Sequence, residues 1–134
     1  MASSAKRAER PLSPHLQVHA LPINMLMSII HRITGAALYL GSALLVWWLV
    51  AAASGEAAYN AAAGFFSSWF GMLIMLGYCW ALMHHMFGGI RHFIWDVGAG
   101  FELGTVDRLA WGTLAASLGA TVLLCFVAFA GGGS

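Results

Sequence analysis

Two clusters of polar side chains stand out in this sequence because their residue types could do chemistry. The first contains Ser28, His31 and Arg32, and Ser28 and Arg32 are four residues apart. On a helix this spacing places both side chains on the same side. A hydroxyl and a guanidinium that converge in this way can hold a carbonyl or a carboxylate group.

The second cluster contains the pair His84 and His85, the pair Gly88 and Gly89, and His92. His85 precedes His92 by seven residues, which is roughly two helical turns or about 10 Å on nearly the same face. An imidazole can bind heme iron through one nitrogen, and glycines leave space for the flat macrocycle. The alternative is a histidine that is simply hydrogen-bonded in the protein interior.

The elements that must position these clusters are membrane-spanning helices. Hydrophobic residues make up 60% of the chain and charged residues 8%, with a mean hydropathy of +0.79, which leaves too few charges to cover a soluble domain. A helix needs about 20 apolar residues to cross a bilayer, and three uncharged runs of that size occur, at residues 33–53, 65–90 and 109–130. We therefore predict an all-α integral membrane protein with helices at about 25–53, 65–95 and 108–130.

The basic residues predict the orientation of these helices. Four of the six lie before or at the start of the first span, and the other two flank the second loop (Lys6, Arg7, Arg10, Arg32, Arg91, Arg108). The first loop, residues 54–64, has no Lys or Arg. Basic residues are enriched on the cytoplasmic side of membrane proteins. We therefore expect the N-terminus and the second loop inside, and the first loop and the C-terminus outside.

Depth in the membrane bears on what both clusters could do. Ionisable residues near helix ends and inside spans are the default functional candidates, although Arg32 could instead extend to lipid phosphates while Ser28 bonds its own backbone. We expect His31 to lie too near the membrane surface to be at the same depth as His85. If iron is bound by two histidines, the second must then come from a partner chain.

The whole chain, 1–134, is expected to be one membrane-anchor domain with an N-terminal arm at 1–24 and no catalytic residue of its own. The arm resembles neither a secretory signal nor a mitochondrial transit peptide. We expect the chain in a bacterial cytoplasmic membrane, with the mitochondrial inner membrane as the alternative. Cys79 and Cys125 lie inside predicted spans and are expected to act as small apolar fillers. The four-residue spacing of Gly112, Ala116 and Ala120 either marks a helix-packing strip or reflects the alanine-rich composition.

Three segments, in order along the chain, identify a family: residues 10–17 (RPLSPHLQ), 28–35 (SIIHRITG) and 85–96 (HMFGGIRHFIWD). Together they resemble the cytochrome b membrane-anchor subunit of succinate dehydrogenase, respiratory complex II, of the bacterial type. The resemblance extends over nearly the whole chain, with the matching number of spans.

The resemblance implies roles for particular residues. His85, four residues before the string GIRH at 89–92, corresponds to the axial ligand of heme b, and His84 to its neighbour. His31 and Arg32 match positions near the heme propionates, and Ser28 and Arg32 match positions that line the ubiquinone pocket. Asp96 also matches the pattern, where it could pair with His92 or Arg91 or help to conduct protons.

The resemblance also implies partners: a second membrane-anchor subunit that supplies the other heme ligand, an iron–sulfur subunit and a flavoprotein subunit that oxidises succinate. Two alternatives remain, a fumarate reductase anchor and a structural anchor without heme. A small transporter is disfavoured because no predicted span has a charged residue at its centre.

Overall fold

The computed structural model describes residues 21–131, and this part of the chain is helical without strands. Four helices follow one another: α1 (Ile23–Ser54), α2 (Glu56–Ser67), α3 (Trp69–Asp96) and α4 (Leu103–Gly131). The all-α prediction is confirmed. The N-terminal arm up to residue 20, with the first family motif, and residues 132–134 lie outside the described residues.

Three of the helices, α1, α3 and α4, are long and apolar enough to cross a membrane. They contain 32, 28 and 29 residues, and at 1.5 Å per residue each exceeds the roughly 30 Å of a hydrocarbon core. Large apolar side chains such as Tyr39, Leu40, Trp69 and Phe129 are exposed along them. The predicted three spans are confirmed, while the orientation rests on the basic residues and stays a prediction.

Helix α2 corrects the prediction of a loop at 54–64 and of a span that begins at 65. Its sequence is rich in alanine, the strongest helix former, and it has Glu56 in its first turn, where a negative charge is favoured. Gly55 allows the sharp change of direction after α1 because its φ is +109°. Ser68 then interrupts the helix and caps α3, accepting a hydrogen bond from the Gly71 amide at 3.1 Å.

Helix α3 lies at the centre of the molecule, with its most extensive contact against α4 and the next against α1. Trp47 of α1 packs on Phe65 and Phe66 of α2, with ring centroids 5.4 and 5.7 Å away. At the other end, the Asn24 amide donates to the Asp107 carboxylate at 2.7 Å and joins the start of α1 to the start of α4.

The face of α4 that is buried against the other helices is formed by small and hydroxyl-bearing residues: Ala110, Thr113, Ser117 and Thr121. Each hydroxyl donates to a carbonyl of its own helix, so no polar group is left unpaired on this face. The strip considered above, Gly112, Ala116 and Ala120, is one residue out of register with it. Gly112 is exposed, and a Cβ there would meet nothing within 4 Å, so this strip is not what packs α4 within the chain.

Candidate cofactor site between helices α1 and α3

Three histidines meet where α1 and α3 are closest. The His31 and His85 rings stack face to face, with centroids 4.0 Å apart and planes 5° from parallel, and the His92 ring lies 5.3 Å from His31. The expectation that His31 lies too near the surface to reach the level of His85 is wrong. Because α1 begins at Ile23, His31 is already more than two turns inside the helix and its side chain crosses to α3.

Two glycines make this close approach possible. A Cβ on Gly88 of α3 would collide with the His31 ring, with Cε1 only 3.0 Å away, and a Cβ on Gly35 of α1 would lie 2.9 Å from His85 Cε1. Each histidine is therefore seated over a glycine of the opposite helix. Gly88, which was expected to leave space for a macrocycle, accommodates the His31 imidazole within this chain.

The hydrogen bonds of His85 determine which of its nitrogens is free. Nδ1 lies 3.1 Å from the His31 carbonyl oxygen and 3.5 Å from Thr34 Oγ1. A carbonyl oxygen only accepts, so Nδ1 bears a proton, and in the neutral form of the ring the lone pair then lies on Nε2. This is the tautomer of a histidine that binds a metal through Nε2.

His84 faces the other way, into the contact between α3 and α4. It is 1% exposed, and its Nδ1 lies 3.3 Å from Ser117 Oγ. Ser117 donates its single hydroxyl proton to the Leu114 carbonyl at 2.9 Å, so its oxygen accepts from His84. The two neighbouring histidines thus have different surroundings: His84 is a buried packing residue, and His85 contacts α1.

Ser28 and Arg32 lie one turn apart near the start of α1, Ser28 half-buried and Arg32 exposed. Within residues 21–131, neither side chain is engaged in a hydrogen bond or ion pair, although several other serines bond their own backbone. The alternative in which Ser28 does the same is not what the structure shows. Both polar groups are available to a ligand beside the helix.

Arg91 lies in the last two turns of α3, before the second loop as predicted, and is 3% exposed. Its Cζ is 5.1 Å from the centroid of the Trp95 ring, one turn further along the helix. Its Nε and Nη1 have no hydrogen-bond acceptor in the described part of the chain. Asp96 is exposed and pairs with neither Arg91 nor His92 within that part.

A cavity of about 490 Å³ lies further along α1 and α3, with walls that include Trp48, Phe66 and Tyr78. Its lining is apolar, and it begins about one turn beyond His85, at Leu82. Apart from Tyr78 and Trp48 its walls carry few polar groups, and it has no charged side chain to orient a carboxylate. The candidate chemistry belongs to the cluster of Ser28, His31, Arg32 and His85.

Thr34 and Gly35 also belong to this site, although no role was predicted for them. They follow His31 by three and four residues, so helical periodicity returns them to its side of α1. That spacing was the available signal. What it could not give is the position of α3, on which the contacts of both residues with His85 depend.

Comparison with known proteins bears on the whole chain. Residues 6–124 match the model of the succinate dehydrogenase/fumarate reductase transmembrane subunit family. The chain is 41% identical over 127 residues to the succinate dehydrogenase cytochrome b556 subunit of Paracoccus denitrificans, covering 95% of this chain and 98% of that protein. It is 34% identical over 116 residues to the subunit of the same name from Rickettsia felis, covering 87% and 90% of the two chains.

A more distant relative extends the comparison to eukaryotes. The succinate dehydrogenase cytochrome b560 subunit of Reclinomonas americana is 33% identical over 106 residues, which cover 72% of this chain and 71% of that protein. The bacterial relatives match almost end to end, and all three names describe a cytochrome b subunit. This three-span membrane protein belongs to the family of succinate dehydrogenase/fumarate reductase transmembrane subunits, among its cytochrome b membrane anchors.

Proposed function

We propose that this chain binds heme b together with a second membrane-anchor subunit and forms part of the ubiquinone-reduction site of a succinate dehydrogenase. The observation that carries the proposal is the hydrogen bond from His85 Nδ1 to the His31 carbonyl, 3.1 Å long. It holds the ring in one orientation and leaves Nε2 as a base that can coordinate iron. When bound, heme b supplies a one-electron store beside the quinone.

The second axial ligand is proposed to come from the partner anchor subunit. A second histidine would have to offer the heme an unobstructed ring nitrogen of its own. His31 instead presents its flat face to His85 at 4.0 Å, which leaves no room for a macrocycle between them. His31 thus lies at the depth of His85, but the orientation of its ring prevents it from being the second ligand.

His31 and Arg32 are proposed to hold the heme propionates. His31 Nδ1 is buried and has no hydrogen-bond partner in the described part of the chain, and buried polar groups are normally paired. A propionate carboxylate would satisfy it. Arg32, the next residue, is an exposed cation without an ion pair in the same region, and arginine binds carboxylates with two parallel hydrogen bonds.

Ser28 and Arg32 are proposed to bind the quinone head group. Reduction of a quinone develops negative charge on its oxygens, and donors that are already in place stabilise such charge most effectively. Arg32 supplies a permanent cation and Ser28 a neutral hydroxyl, both on one side of α1 and without competing bonds in the described residues. Protons are proposed to arrive from the side of the membrane on which α1 begins.

Succinate oxidation itself is proposed to take place in a flavoprotein subunit, with electrons passing through an iron–sulfur subunit that docks on this chain in a bacterial cytoplasmic membrane. The matching family also includes fumarate reductase subunits, in which the same architecture serves the opposite electron flow. The dehydrogenase is favoured because the relatives named above are all succinate dehydrogenase subunits.

Purification in mild detergent tests the proposal. The chain should copurify with three other subunits, and addition of succinate should produce the sharp reduced bands of a b-type heme. Ubiquinone should then reoxidise that heme. A complete complex without heme bands would establish the structural anchor instead, and copurification with unrelated proteins would contradict the proposed function altogether.

A further inference from the structure

Thr34 is a deeply buried polar residue of α1 beside the His85 ring, with a relative exposure of 2%. Its hydroxyl donates to the His31 carbonyl at 3.0 Å, and its oxygen lies 3.5 Å from His85 Nδ1. Thr34 therefore touches both members of the hydrogen bond that orients His85. Nothing in the proposed heme and quinone chemistry requires a hydroxyl at this place.

The direction of these hydrogen bonds follows from counting protons. The Thr34 hydroxyl has one proton, which goes to the His31 carbonyl. Toward His85 the Thr34 oxygen can then only accept, as the carbonyl does. The Nδ1 proton of His85 faces two acceptors, at 3.1 and 3.5 Å, and a ring turned over by 180° would present a C–H to both.

We propose that Thr34 is a positioning residue that fixes the tautomer and orientation of His85 and thereby adjusts the redox potential of the heme. The inference rests on the proposed function, in which His85 binds iron through Nε2. Acceptors on the Nδ1 proton increase the basicity of a ligating imidazole. A more basic ligand favours ferric over ferrous iron, so Thr34 lowers the potential.

The neighbouring residues support a dedicated role. Gly35, adjacent to Thr34, has no Cβ, and an added one would lie 2.9 Å from His85 Cε1. The imidazole therefore fits against α1 with its Nδ1 edge toward Thr34 and its Cε1 over Gly35. Thr34 sets the polar contact of the ring, and Gly35 sets its distance from the helix.

The test compares Thr34→Val, which keeps the branched shape and removes the hydroxyl, with Thr34→Ser, which keeps the hydroxyl. Thr113→Val is a matched control, since Thr113 is a buried threonine whose hydroxyl likewise donates to its own helix, at 2.8 Å to the Leu109 carbonyl, but forms no hydrogen bond with His85 in the described part of the chain. The measurements are the heme midpoint potential and the ferric electron paramagnetic resonance spectrum of the purified four-subunit complex.

We expect Thr34→Val to weaken ferric relative to ferrous binding about tenfold, at the low end of what an outer-shell partner contributes. For one electron this raises the potential by about 59 mV. Thr34→Ser should restore the potential, Thr113→Val should leave it unchanged, and the ferric spectrum of Thr34→Val should report an altered ligand orientation. If Thr34→Val does not assemble, Thr34→Ala is measured in its place, because it removes the hydroxyl without adding bulk.

A removal variant with the wild-type potential and ferric spectrum would overturn the inference, as would an equal shift in Thr113→Val. A wild-type complex without heme is a different result, because it would contradict the proposed function on which the inference rests.

Discussion

His84 and His85 are adjacent in the chain, but they take part in different contacts. His84 bonds Ser117 in the interior between α3 and α4, so it stabilises the packing of these helices. We predict that His84→Ala lowers the stability of the complex by about 1–3 kcal/mol, the cost of an unpaired buried partner and a small cavity. The heme bands should persist, because His85 is unaffected. Thermal unfolding and a reduced-minus-oxidised spectrum measure both, and loss of the bands would transfer the ligand role to His84.

Arg32 is expected to matter for quinone reduction more than for assembly. A charged, preorganised donor contributes about 3 kcal/mol to a reaction that develops negative charge, or roughly a hundredfold in rate. Arg32→Leu should therefore slow succinate-to-quinone electron transfer by about that factor, while succinate oxidation with a soluble dye acceptor continues. Ser28→Ala should act in the same direction but more weakly, because it removes a neutral hydrogen bond.

Arg108 provides the control for this measurement, since it is an exposed basic residue at the start of α4. Arg108→Leu should leave quinone reduction near the wild-type rate. Heme content is determined in each preparation, because Arg32 is also proposed to contact a propionate. If an Arg32→Leu complex contains heme and reduces quinone at the normal rate, Arg32 is only a surface anchor and does not bind the quinone.

At the scale of single residues, sequence spacing predicted the pairing of Ser28 with Arg32 on one side of α1. The stacking of His31 on His85 was not predictable, because it depends on how closely α1 approaches α3. That distance is set by Gly35 and Gly88 together, and a periodicity within one helix contains no information about a residue on another.

The same glycines give a prediction at the scale of the helices. A Cβ at Gly88 collides with the His31 ring, whereas one at Gly77, on the same helix, meets nothing within 4 Å. Gly88→Ala should force α1 and α3 apart at a cost of about 1–3 kcal/mol and lower the heme content. Gly77→Ala should be neutral or slightly stabilising, since alanine is the better helix former. The measurements are the thermal midpoint and the heme content per complex. If the two variants have the same midpoint and the same heme content, Gly88 is not required for the contact of the His31 ring with α3.

The three spans were predictable because uncharged runs of about 20 residues have few other interpretations. Helix α2 was not, because its 12 residues are too few for a span and hydropathy does not distinguish a short surface helix from a loop. The buried face of α4 was also missed. The strips at Gly112 and at Thr113 differ by one residue, about 100° around the helix, and the alanine-rich sequence supports either one.

For the molecule as a whole, the relatives that the chain matches are subunits of a larger enzyme, and the proposed heme site takes one histidine from this chain. Its buried apolar residues are few and mostly alanines in the described part: Met27, Ala51, Ala62, Ala81 and Ala110. We predict that the chain expressed alone is unstable and binds heme substoichiometrically. Expression with its partner anchor should give one heme per pair. A stable, heme-saturated monomer would refute the shared site.

The assignment of His85 as the ligand that this chain contributes is tested most directly by the ferric and reduced spectra of the intact complex with His85→Ala. If His85 is the ligand, removal of its Nε2 would leave the iron with only the partner's ligand. We predict that the complex loses its heme or retains a five-coordinate, high-spin heme with altered bands. A six-coordinate, low-spin heme with the wild-type spectrum in this variant would contradict it.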